Sequence, residues 1–145
     1  MNPSSGPITV LSDTECWEHL ATQRVGRLVT SVGDVVDIVP INFVVDGDTV
    51  VFRTAPGSKL SELTVNSSVV FEVDSFGETS GWSVVLRGRA RALETEAEIA
   101  AAELLPLKPF VPTVKRVFVR IEATAVTGRS FVFGSEPDHD AVHNE

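Results

Sequence analysis

Apolar positions recur with two different periods along this chain. Near the start, Leu11, Cys16, Trp17 and Leu20 fall on one helical stripe. Ser12 followed three residues later by Glu15 is the pattern of a capping box, with Leu11 and Cys16 at the positions of a hydrophobic staple. A short helix over residues 13–23 follows. β-branched runs then take over: Val25 to Val32 and Val35 to Val45 are separated by Gly33 and Asp34, the composition of a tight hairpin. Asp46, Gly47 and Asp48 make the next turn into residues 49–54, which completes a three-stranded meander. Pro40 cannot donate to a ladder, so its position belongs at a sheet edge or a bulge, where backbone can face a ligand.

Beyond Pro56 and Gly57, Leu60 and Leu63 return to helical spacing behind Ser58, a good N-cap residue. Residues 68–74 and 82–93 read as two strands that flank a loop and pair with each other. Thr95 to Glu98 open a helix that runs through Leu105 and stops at Pro106, and residues 114–127 alternate as a last long strand. Six strands and three short helices, mostly sequential and hairpin-linked, predict a mainly β fold, an antiparallel barrel with helices at its ends or flank.

The 145 residues suffice for one domain whose folding buries about two-thirds of its surface without disulfides or metals. The folded unit is placed over residues 11–133. It lies between a flexible arm (1–10) rich in Pro, Ser and Gly and an acidic flexible tail (134–145) without periodic apolar positions. A formal charge of −8 repels phosphate backbones and anionic bilayers, so neither nucleic acid nor membrane is an expected partner. Charges or glycines interrupt every apolar run before it reaches the length of a membrane helix. With one cysteine, Cys16, and no basic segment leading into an apolar signal core, the cytoplasm is the expected compartment.

Against that acidic background, the segment from Phe52 to Leu60 stands out. A strand delivers Arg53 and Thr54, a Pro-Gly turn follows, and Ser58 and Lys59 open a helix whose first N–H groups lack intrahelical acceptors. Two cations, two hydroxyls and the positive helix end converge there, as a phosphomonoester requires. The same residues also describe an ordinary strand-to-helix turn capped by Ser58. A second cationic feature is the alternation of Arg87, Arg89 and Arg91, which puts three guanidinium groups on one strand face. Cross-strand ion pairs with Glu72 and Asp74 are one reading, and anion binding beside the small Gly88 is the other. Catalytic patterns are otherwise poor: His139 and His143 lie in the tail, Cys16 packs at the staple, and no Ser/His/Asp setting is recognisable. Any redox or transfer chemistry must come from an imported group.

Val39 to Asn42, Asp46 to Asp48, Phe52 to Lys59, Phe71 to Asp74 and Gly81 to Arg89 together resemble the pyridoxamine 5′-phosphate oxidase-like, FMN-binding split-barrel family, in particular its nitroimidazole-resistance-related branch. The similarity spans residues 11–131. It implies a six-stranded antiparallel split β-barrel forming a homodimer, with two flavin sites at the subunit interface. By the same resemblance, Arg53, Thr54, Ser58 and Lys59 bind the flavin phosphate, and Val39, Pro40, Ile41 and Asn42 run along the ring and ribityl chain. Ser83 lies near the ring with Trp82 beside it, and Arg129 reaches the cofactor from the partner subunit. The implied activity is an FMN-dependent oxidoreductase that passes hydride to a small-molecule acceptor, with NAD(P)H as a candidate donor. Related split barrels use a deazaflavin coenzyme or haem, and a non-catalytic flavin carrier is the reading from outside the enzymes. The closing Trp/Arg/Pro segment of true pyridoxamine oxidases has no counterpart in residues 127–133, which argues against that substrate.

Overall fold

The computed structural model describes residues 6–107 and 117–135, with the backbone alone at residues 58 and 59. In chain order the elements are β1 (Ile8–Val10), α1 (Asp13–Leu20), β2 (Val25–Val32), β3 (Val35–Asp46), β4 (Thr49–Thr54), α2 (Ser58–Val65), β5 (Ser68–Phe76), β6 (Ser80–Ala92), α3 (Glu96–Glu103) and β7 (Val117–Val132). All strand pairings are antiparallel, in the order β1-β7-β4-β3-β2-β5-β6, and a further β7–β6 pairing closes the sheet. Strands β2 to β7 thus make the six-stranded barrel. Ile8–Val10, within the stretch read as an arm, add a seventh strand on β7 opposite Arg129 to Phe131.

Local chemistry sets the hairpins. β2 and β3 pair down to Val32 opposite Val35, leaving Gly33 and Asp34 as a two-residue loop with φ +58° at Gly33. A positive φ at the first loop residue alone is the pattern of a type II′ turn, whose twist matches that of the strands it joins. Gly47 plays the same part between β3 and β4 at φ +62°. The barrel is filled by alternate inward residues, among them Leu28, Phe43, Val50, Phe52, Phe71, Val84, Leu86, Val119 and Ile121. A smaller cluster lies outside it, where Val51, Phe118, Leu93 and Ala102 pack with Val44 and Ile99 beneath α3.

The helices depart from the sequence reading at their ends. α1 carries the capping box, with the Glu15 N–H donating to Ser12 Oγ (3.2 Å) and the Ser12 N–H to Glu15 Oε1 (2.9 Å), yet it ends at Leu20. These bonds from Ser12 hold the Glu15 carboxyl below its usual range. Cys16 packs beside Gly128, where an added Cβ would sit 2.8 Å from its Sγ. Burial pushes the Cys16 thiol up, with help from Asp13 and Glu15, which suits packing rather than nucleophilic work. The N-cap of α2 is Gly57, at φ +149°, and Ser58 is its first helical residue. β7 extends to Val132, so Gly128 and Arg129 lie inside the last strand rather than at its end.

The arginine stripe of β6 also resolves differently. Glu72 and Asp74 pair with Arg27 of β2, at 2.7 and 3.4 Å, because the register sets Glu72 opposite Val85 and Asp74 opposite Ser83. Arg91 finds Glu98 (3.0 Å) and Glu122 (2.7 Å) instead. A side chain at Gly88 would run into the Glu122 carbonyl, so the close approach there is made by the β7 backbone. Among the described residues no helix is long and apolar enough to cross a membrane.

Candidate functional site

β3 changes partner along its length: Val35 to Asn42 pair with β2 alone, and Phe43 to Asp46 pair with β4. Val39, Pro40, Ile41 and Asn42 occupy the β2-paired part. Val39 and Ile41 turn inward onto the core, while Pro40 is exposed opposite Arg27. Pro40 therefore sits where a missing N–H leaves no ladder bond unmade.

Immediately across β4 from that edge, Arg53 and Thr54 end the strand and Ala55 to Gly57 carry the chain into α2. The first intrahelical bond runs from the Ser61 N–H to the Gly57 carbonyl at 3.1 Å, so the N–H groups of the opening turn, which includes Ser58 and Lys59, point out of the helix end. Nothing lies within 4 Å of the Cβ position at Gly57, and its φ is one that L side chains rarely adopt. The half-buried Arg53 lies with Cζ 4.8 Å from the centroid of the Phe118 ring, and its buried Nε has no hydrogen-bond partner among the described residues. Burying a guanidinium donor without an acceptor costs about 1–3 kcal/mol. A hydrogen-bond acceptor within reach of Nε would offset that cost. Phe118, which holds the stem of Arg53, was not legible as part of the site; only the β4–β7 register, Arg53 opposite Phe118, brings the two together.

Trp82, Ser83 and Arg129 lie elsewhere on the same chain. Ser83 and Arg129 are directly opposite one another on β6 and β7 and line an outward-facing depression of about 460 Å³ with Val10, Val85 and Thr127. Trp82 turns toward the core, its ring 4.6 Å from that of His19 on α1. Arg53 stands opposite Phe118 and Ser83 opposite Arg129, so the two groups lie eleven residues apart along β7.

A third group went unnoticed in the sequence as a unit. The Glu72 carboxyl is pushed up to about 7, chiefly by burial and then by the adjacent Asp74, with Arg27 pulling the other way. Only the β2–β5 pairing, Arg27 opposite Glu72, reveals this triad.

Comparison with known proteins agrees with the fold. A sequence profile of the pyridoxamine 5′-phosphate oxidase family matches residues 12–130. A Corynebacterium glutamicum structure, provisionally assigned as a pyridoxamine 5′-phosphate oxidase, superposes with TM-score 0.81 at 37% identity, over 90% of this chain and 98% of that one. An FAD-binding protein of Mycobacterium smegmatis gives TM-score 0.76 at 45% identity, over 86% and 99%. An uncharacterized protein of Mycobacterium tuberculosis is 45% identical over 94 residues, 65% of this chain and 86% of the relative. With the profile covering the whole barrel, this chain belongs to the pyridoxamine 5′-phosphate oxidase-like family.

Proposed function

We propose that this protein is a flavin-dependent oxidoreductase that binds FMN by its phosphate at the junction of β4 and α2. The observation that carries this reading is the buried Nε of Arg53, which has no hydrogen-bond partner among the described residues, on the strand that leads into that helix. Arg53, Thr54 and the first-turn N–H groups, with Ser58 and Lys59, hold the phosphate. The stretch of β3 from Val39 to Asn42, which pairs with β2 and not with β4, runs along the ribityl chain and ring. A bound flavin supplies hydride and single-electron chemistry at its ring. The chain's task is to anchor, orient and partly shield it from water.

Ser83 and Arg129 serve the ring of a flavin anchored on a second copy, with Trp82 packed behind them on the core side of β6. The separation between them and Arg53 on one chain supports a homodimer with the cofactor between subunits. NAD(P)H is the proposed electron donor, a small molecule the acceptor, and the cytoplasm the compartment, in keeping with a single cysteine. The M. smegmatis relative is named for FAD, which supports a flavin as such; FMN is the form that the Arg53 cluster alone suffices to anchor.

The test is to purify the protein, record its visible spectrum, and release and chromatograph any bound cofactor. FMN is the expected product, FAD or a deazaflavin would replace that part of the reading, and a colourless protein that takes up no added FMN would defeat it. Oxidation of NAD(P)H by the loaded protein in the presence of an acceptor separates an enzyme from a flavin carrier.

A further inference from the structure

Of the three arginines on the outer face of β6, only Arg91 is absorbed by carboxylates, Glu98 and Glu122. Arg89 donates from Nη1 to Ser67 Oγ at 3.2 Å, and neither Arg87 nor Arg89 makes an ion pair among the described residues. In a chain with 20 acidic residues against 12 basic ones, carboxylates were available to neutralise them. Instead the two line a depression of about 360 Å³ together with Ser31, Ser68, Val70 and Thr124.

The surrounding structure shapes this depression. The β6–β7 register slips between Arg87 and Gly88, leaving Thr124 as the extra residue of a bulge, and its hydroxyl donates to the Arg87 carbonyl at 3.1 Å. Bulges of this kind re-aim side chains beside binding sites. At Ser31, Asn66 Nδ2 donates to the carbonyl (3.0 Å) and Oγ (3.2 Å), tying the end of α2 to β2. Glu62 reaches the buried Thr30 hydroxyl at 2.9 Å from the same helix and pairs with neither arginine. The depression lies by the C-terminal end of α2, whereas Arg53 lies by its N-terminal end, about 12 Å away along eight residues of helix.

We propose that the depression lined by Arg87, Arg89, Ser31, Ser68 and Thr124 is a second anion site, which takes the phosphoryl group of a small phosphorylated molecule. Two guanidinium groups suit the charge of a phosphomonoester, and hydroxyl groups suit its remaining oxygens. The volume admits a phosphate and one small ring, with Val29 and Val70 as apolar contacts. The site is independent of the Arg53 anchor and is not needed for flavin retention.

Titration calorimetry of the full-length protein, with whatever cofactor it retains, tests this. Phenyl phosphate and inorganic phosphate are the probes, and benzyl alcohol is the uncharged control. One saturable phenyl phosphate site per chain that persists in Arg53→Gln is expected, weakened at least about tenfold by Arg87→Gln with Arg89→Gln. Arg87→Lys with Arg89→Lys, which keeps the charges, should retain most of the affinity, and circular dichroism checks that both pairs of variants fold. Absence of saturable binding, binding indifferent to the Gln pair, or loss through Arg53→Gln instead would overturn the proposal. So would loss of flavin or of dimer mass in the Gln pair, which would assign these arginines to the cofactor or to a subunit contact.

Discussion

Arg27 pairs with two carboxylates at once, Glu72 and Asp74. The Glu72 carboxyl is pushed up to about 7, above its ordinary value of 4.5, because burial and Asp74 outweigh the attraction of Arg27. A raised acid binds its proton more tightly when folded, so its contribution to stability is full below the unfolded value and fades as pH rises through the folded one. Thermal melting of the wild type should therefore fall between about pH 5 and about pH 8, and Glu72→Gln should flatten that fall. A profile unchanged by the substitution would show that Glu72 titrates normally. Sequence alone offered Glu72 and Asp74 as partners for the β6 arginines; the true partner lies one strand further, a matter of register that no local pattern encodes.

Elements were easier to read than their neighbours. The hairpins at Gly33 and Gly47 and the edge position of Pro40 follow from backbone chemistry local to a few residues, and all three appear in the structure. Strand β1 was missed because three residues in a Pro- and Gly-rich stretch carry no measurable period; it exists because β7 offers an unpaired edge at Arg129 to Phe131. The cap of α2 shifted by one residue, since Gly57 reaches a φ closed to Ser58. Two substitutions test the element-level account. Ser12→Ala removes the acceptor for the Glu15 N–H and should cost about 1 kcal/mol in denaturant unfolding. Gly88→Ala forces a methyl group against the Glu122 carbonyl and should cost about 1–3 kcal/mol, by prising β6 from β7. Equal midpoints for wild type and Gly88→Ala would mean that the close strand approach is not required.

At the scale of the molecule, six strands close around a packed interior, and Arg53 and Ser83 pair with β7 at positions eleven residues apart. The family resemblance already assigned Arg129 to the partner subunit's flavin; the β7 register adds how far it lies from Arg53 along the strand. Light scattering should accordingly give the mass of two chains; a monomer that still binds flavin would place Ser83 and Arg129 outside the site.

The most direct test of the phosphate anchor compares FMN with riboflavin, which lacks the phosphate, by fluorescence titration of the wild type and of Arg53→Ala with Lys59→Ala. The wild type should bind FMN at least about tenfold more tightly than riboflavin, and the double variant, still folded, should lose that preference. Equal affinity of the wild type for the two, or an FMN preference that survives the double substitution, would contradict the account.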